Sequence, residues 1–178
     1  MTENSILDWV LRTPRLDLRP LQPGDVEALE AVLGDPWTMR YYPAPFDRFK
    51  VSDWIARNSE RVLERMGLYA MVLRSSGELI GDCGPVPQDL PNGKTETELG
   101  WHVRRDRQGR GYATEAASAW MGEMFGRGEA HLIALVRPEN RPSCRVAEKI
   151  GMHIEEDILW NAELKWPHHV YGVSNPNR

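Results

Sequence analysis

Cysteine is scarce in this 178-residue chain, with Cys83 and Cys144 the only two. Two thiols build neither the disulfide framework of a small secreted protein nor a multi-cysteine zinc site. Long apolar runs are missing as well. Leu132-Ile133-Ala134-Leu135-Val136 is among the longest, far short of the roughly 20 residues a membrane-spanning helix needs. Positive charge is not in excess: 22 Lys and Arg against 26 Asp and Glu leave a formal charge of −4, which argues against general nucleic-acid binding. The opening Met1-Thr2-Glu3-Asn4-Ser5 has no basic stretch followed by an apolar one, so no secretory leader is expected and a reducing cytoplasm is the expected setting. The histidines at 102, 131, 153, 168 and 169 fall at no ligand spacing, and no metal is expected. Repeats and low-complexity tracts are absent too. What remains is ordinary globular composition, 41% hydrophobic, enough for one domain with its own core.

The pattern of what is present alternates between strand and helix. Leu16 and Leu18 sit among charged neighbours in Thr13–Leu21, which predicts a first strand. Pro23-Gly24-Asp25 starts a helix carrying Val26, Leu29, Val32 and Leu33, and Gly34-Asp35-Pro36 stops it. An irregular, aromatic and proline-rich segment runs from Trp37 to Lys50. Ser52 is the expected cap of a second helix with Ile55, Val62 and Met66 on one face. Leu68–Arg74 and Glu78–Cys83 read as a hairpin, with Gly81 and Gly84 placed for a bulge or a close backbone approach. Thr95–Val103 follows as a strand. A helix from about Tyr112 carries Ala116, Ala117, Trp120 and Met124, His131–Val136 is a buried strand, and Pro142–Ile150 is a short helix ended by Gly151. Met152–Trp160 and His168–Val173 read as a closing hairpin.

The junction at 103–116 holds the densest chemistry. There a strand runs through Arg104, Arg105, Arg107, Gly109, Arg110 and Gly111 straight into a helix of small residues. The first N–H groups of a helix lack internal partners and sit at the positive end of its dipole, so they receive an anion. Glycine at 109 and 111 tolerates positive φ and has no Cβ to block a phosphate. The physical reading is a pyrophosphate cradle. A P-loop would need Gly-Lys-Ser/Thr and a dinucleotide fold Gly-x-Gly-x-x-Gly, and neither is present here.

Gln108-Gly109-Arg110-Gly111-Tyr112-Ala113 resembles the acetyl-CoA signature of the GNAT acetyltransferase superfamily, Gln/Arg-x-x-Gly-x-Gly/Ala. The segment Asn140–Met152 resembles a second motif of that family, with proline for alanine at 142 and methionine for phenylalanine at 152. Pro14-Arg15-Leu16-Asp17-Leu18-Arg19 resembles the start of its ribosomal-protein-alanine acetyltransferase-like subgroup. The resemblance implies an α/β (α+β) fold, a single GNAT-type domain over residues 1–178, with a mixed central sheet of about seven strands flanked by about four helices. Residues 1–12 are expected as a flexible or ancillary N-terminal segment.

The same resemblance implies N-acetyl transfer from acetyl-CoA, as co-substrate, to a primary amine. A protein N-terminus is one acceptor; a polyamine, amino acid or antibiotic is the alternative. A non-catalytic acyl-CoA-binding module would keep the cradle and lose the base. A homodimer fits the group, and neither nucleic acid nor membrane is an expected partner. The implied donor site is Trp101, His102 and Val103 at the strand end, Gln108, Gly109, Arg110, Gly111, Tyr112, Ala113 and Thr114 in the cradle, and Asn140 against the pantetheine arm. Ser143 is the implied general acid to the leaving thiolate, and Tyr41 and Tyr42 wall the acceptor site.

Glu98 is the candidate base. An alkylammonium with a pKa of about 10.4 must lose a proton before it attacks, and a carboxylate nearby can take it. Glu96 shares the strand face with Glu98 and is expected at the surface. Glu115, in the first helical turn, is expected to complement the dipole. Arg145 either reaches a cofactor phosphate or stays solvated.

Overall fold

Alternation of buried leucines with charged residues at Leu16–Arg19 places that segment in a sheet with one face inward, and the leucines are fully buried. The computed structural model describes residues 10–160 and 166–178. Its eight strands are β1 (Leu11–Arg12), β2 (Leu16–Arg19), β3 (Tyr69–Leu73), β4 (Leu79–Asp89), β5 (Thr95–Val103), β6 (His131–Val136), β7 (His153–Trp160) and β8 (Trp166–Ser174). They form one mixed sheet in the order β1-β2-β3-β4-β5-β6-β8-β7. Four α-helices accompany them: α1 (Val26–Leu33), α2 (Arg48–Arg61), α3 (Tyr112–Gly126) and α4 (Arg141–Lys149).

The strand beyond the expected set is the two-residue β1, which pairs Leu11 with Leu18 and Arg12 with Asp17. It lies in the stretch expected to be ancillary, so the end of that stretch belongs to the sheet; residues 1–9 lie outside the described residues. A second difference concerns α2, which starts at Arg48 rather than at Ser52. Asp47 is the cap, its side chain accepting from the Lys50 N–H at 2.8 Å. Ser52 lies one turn inside and bonds the Arg48 carbonyl.

The helices cover both faces of the sheet. Along β3, Tyr69, Met71 and Leu73 pack with Trp120 of α3 and Ala147 of α4, while Ala70 packs with the apolar residues of α1 and α2. The Tyr69 and Trp120 rings lie 4.6 Å apart between centroids at the centre of the larger cluster. Both cysteines are buried free thiols. No described helix is long and apolar enough to cross a membrane.

Two features of the sheet make the site. First, β3, β4 and β5 are held close: the Met71–Val72 step of β3 is irregular opposite Gly81. A Cβ added at Gly81 would lie 2.0 Å from the His102 carbonyl oxygen, so this is the close approach its glycine allows. Second, β5 and β6 are the one parallel pair among the described residues, and their register there is the single match Glu98↔Ile133. Past that point the two strands part. The edge of β5 facing β6 then has backbone groups with no strand partner, and they open onto a cavity.

Candidate active site

A cavity of about 710 Å³ fills the gap between the parted strands and continues under the Tyr41–Pro43 loop. Every residue expected at the site lines it except Arg110, whose carbonyl is instead held by Arg15 Nη1 at 2.9 Å. The fold thus gathers residues that lie far apart in the sequence: the Thr38–Pro43 loop, α2, β5, the cradle and the start of α4, with β4, β6 and β8 completing the wall.

The cradle is built as its sequence suggests. Gly109 and Gly111 have φ of +73° and +82°, and Gly111 is the left-handed N-cap of α3 with no side chain capping it. The N–H groups of Tyr112, Ala113 and Thr114 therefore begin the helix without internal acceptors and stand on the cavity wall. Gln108 has a role its motif position does not reveal. Its Nε2 donates to the Val103 carbonyl at 2.8 Å, which ties the loop to the end of β5.

The arginines around the cradle do not all act together. Arg104 and Arg107 both bond Glu78, at 2.6 Å each, and Arg104 also bonds Asp106. Their charge is largely neutralised by these carboxylates, so the arginines of the junction do not all add free positive charge around the loop. Glu115 is likewise more than a dipole partner. It accepts from Thr13 Oγ1 at 2.6 Å, from the Arg15 N–H at 2.8 Å and from Arg15 Nε at 2.5 Å. Burial alone would raise its pKa, but these hydrogen bonds and the Arg15 charge outweigh burial and hold it below the usual range. Arg15 also lies over the Tyr112 ring at 4.5 Å, so the residue just before β2 clamps the first turn of α3.

Across the cavity, Asn140 caps α4, its Oδ1 accepting from the Ser143 N–H. The Ser143 Oγ accepts from the Trp101 indole N–H at 3.3 Å, which links β5 to α4 across the gap. Arg145 is exposed on the cavity rim. Tyr41 closes the far side by donating to the Glu139 carbonyl at 3.1 Å.

Glu98 sits where β5 and β6 separate. Its Oε1 accepts from the Leu135 N–H at 3.3 Å. Burial of the carboxyl pushes its pKa up to about 7, against smaller downward pulls from that N–H and from His102. A carboxyl poised there exchanges a proton readily near neutral pH. Glu96, expected at the surface, is half-buried and bonded at 3.2 Å to His131, which also bonds Glu155. Burial lowers the pKa of His131, but the two carboxylates outweigh it and raise the value overall.

One constellation is not announced by any motif. His102 is expected at the donor site at the strand end, and its side chain is buried and bonded at both nitrogens: Nδ1 to Asp82 Oδ1 at 2.7 Å, Nε2 to the Tyr42 hydroxyl at 2.7 Å. Trp54 Nε1 donates to the other oxygen of Asp82 at 2.8 Å. The signal in the sequence is strand parity alone. Glu98, Gly100 and His102 alternate along β5, which puts the imidazole on the same face as the candidate base.

A family model described as an acetyltransferase (GNAT) domain matches residues 15–153. The uncharacterized protein YkkB of Bacillus subtilis (strain 168) is 36% identical over 159 residues, covering 86% of this chain and 91% of that protein. The uncharacterized N-acetyltransferase YnaD of the same organism is 31% identical over 168 residues, covering 92% and 95%. Among solved structures, an acetyltransferase of the GNAT family from Bacillus anthracis superposes with a TM-score of 0.81 at 25% identity, covering 94% of this chain and 99% of that one.

Proposed function

The chain belongs to the GNAT acetyltransferase family, and from that premise we propose that it moves the acetyl group of acetyl-CoA to a primary amine by direct attack, with a protein N-terminus as the acceptor. The observation that carries the reading is Glu98: a carboxyl raised to about 7 at the strand separation, in the same cavity as the uncapped start of α3. The protein N-terminus is suggested by the resemblance of Pro14–Arg19 to the ribosomal-protein-alanine subgroup.

Acetyl-CoA is a substrate here. Residues 108–114 would hold its pyrophosphate, and Asn140 with the Trp101–Val103 backbone would hold its pantetheine arm. The unpartnered β5 edge supplies N–H groups to polarise the thioester carbonyl, and none of them must reorganise as charge develops. Glu98 takes a proton from the ammonium form of the acceptor, which frees the nitrogen lone pair. The Ser143 hydroxyl hydrogen-bonds the departing thiolate. Holding donor and acceptor together in one cavity supplies much of the rate, since effective molarities for oriented partners reach about 10⁵–10⁸ M.

Thiol release from acetyl-CoA in the presence of N-terminal peptides, polyamines, amino acids and aminoglycosides tests this. Release with peptides supports the proposal; release with small amines alone moves the acceptor class. Stabilisation by CoA with no release on any amine would replace the reading with a binding module.

A further inference from the structure

The acetyl-transfer reading uses the backbone of His102 and leaves its side chain without a task. That side chain is boxed in aromatic rings, with Tyr42 at 5.4 Å and Trp54 at 6.0 Å between centroids. Asp82 behind it is fully buried, and both its oxygens are engaged, one by the Trp54 N–H and one by the imidazole. The indole is a donor only, so Asp82 is an acceptor on that side. An acceptor opposite Nδ1 keeps the ring proton there and leaves Nε2 with a lone pair, to which the Tyr42 O–H donates. Tyr42 and His102 both line the cavity that holds Glu98. A buried carboxylate, an imidazole and a hydroxyl in a chain ending at a cavity is an arrangement that moves protons.

We propose that Asp82, His102 and Tyr42 form a proton relay at the acceptor end of the cavity, Tyr42 touching the reacting atoms and His102 and Asp82 acting as positioning residues behind it. The proposal rests on the amine acetylation described above. Each turnover converts an ammonium and a thioester into an amide, a thiol and one released proton. Glu98 removes the first ammonium proton and later passes it to water. The neutral nitrogen then bonds to the thioester carbon, and the carbonyl electron pair moves to oxygen. The second N–H proton passes to the Tyr42 oxygen while the phenolic proton passes to His102 Nε2, leaving an imidazolium against Asp82. As the carbonyl re-forms, the C–S bond breaks with its electrons on sulfur. The proton then returns from His102 through Tyr42 to that sulfur. Nitrogen and sulfur share one carbon in the adduct, so a single hydroxyl serves both.

Two further observations fit the role. Tyr42 is 42% exposed as a residue, but its hydroxyl is turned inward onto His102; loss of water there and the carboxylates of Glu98 and Asp82 raise the phenol above its ordinary pKa, so it stays protonated and works as a conduit rather than as a phenolate. The charged and titratable groups around the imidazole come from three elements: Asp82 of β4, Glu98 of β5 itself, and Tyr42 of the loop before α2. None of these three is a cation.

The test uses Tyr42→Phe, His102→Gln and the double variant in the thiol-release assay, with acetyl-CoA affinity measured by calorimetry. The relay predicts that each single variant lowers kcat by about 10²-fold, the scale of one lost acid–base function, and leaves the acetyl-CoA Kd within about twofold. The double variant should be no slower than the slower single one, because the residues act as a unit. Singles that keep kcat within about threefold of wild type, or losses that multiply in the double variant, overturn the relay alone. A single variant whose kcat loss comes with a matching loss of acetyl-CoA affinity has a structural effect, and that too counts against the relay. Wild type that releases no thiol with any amine overturns the acetylation reading, and the relay with it.

Discussion

The Leu135 N–H donates to Glu98 Oε1 at 3.3 Å, and that bond bridges β6 and β5 where the two strands begin to part. The same carboxyl thus holds the mouth of the gap and carries a pKa of about 7. A structural contact and a proton acceptor occupy one residue, which gives Glu98 consequences for stability as well as rate.

The stability consequence has a definite sign. The pKa of Glu98 rises from 4.5 to about 7 on folding, so the folded state binds this proton more tightly than the unfolded chain. Its contribution is most favourable below pH 4.5 and is lost as pH rises through about 7. Glu98→Gln should therefore match or trail wild type at pH 4.5 and exceed it at about pH 8, read as urea midpoints at both pH values.

Glu115 should behave in the opposite sense. Its pKa is held down by Thr13 and Arg15, so its contribution is present at neutral pH and lost as pH falls through the carboxylate range. Glu115→Ala leaves Thr13 and Arg15 without their acceptor and should cost about 1.5–3 kcal/mol at neutral pH. Urea melts at about pH 7 and about pH 3 check this; the difference should shrink at the lower pH.

Gly111 separates backbone from charge. A Cβ there meets only Arg15 Nη2, at an ordinary 3.4 Å, so Gly111→Ala should cost only the left-handed strain, about 1–2 kcal/mol. Gly111→Asp adds a negative charge to the cradle and should weaken acetyl-CoA binding about tenfold or more beyond the alanine variant. Calorimetry on both variants decides whether the cradle binds the anion.

Gly81 has no such room. With the His102 carbonyl oxygen 2.0 Å from a Cβ at this position, Gly81→Ala must push β4 and β5 apart. The expected outcome is a loss of several kcal/mol with His102 displaced, visible as reduced soluble yield and a lowered melting temperature.

Much of this fold is legible in the sequence because the signals are local. Gly109 and Gly111, Pro142 at a helix start and the alternation at Leu16 and Leu18 each act within a few residues. The start of α2 is not, because Asp47 and Ser52 are both good caps, and choosing between them takes tertiary packing. The site divides the same way. The cradle is contiguous in sequence and can be read there, whereas the pairing of Glu78 with Arg104 and Arg107, 26 and 29 residues away, depends on β4 lying beside β5 and leaves no local trace. The Asp82–His102–Tyr42 chain is hidden for the same reason. Asp82 and Tyr42 lie 20 and 60 residues from His102, joined to it only by the pairing of β4 with β5 and the fold of the loop over both.

The most direct test of the central claim is kcat for amine-dependent thiol release, measured against pH at saturating substrates for wild type and Glu98→Gln. With Glu98 as the base, wild-type kcat rises through about pH 7, and the variant is about 10²-fold slower just above that pH with unchanged acetyl-CoA affinity. A variant within about threefold of wild type, with the same pH profile, would contradict it.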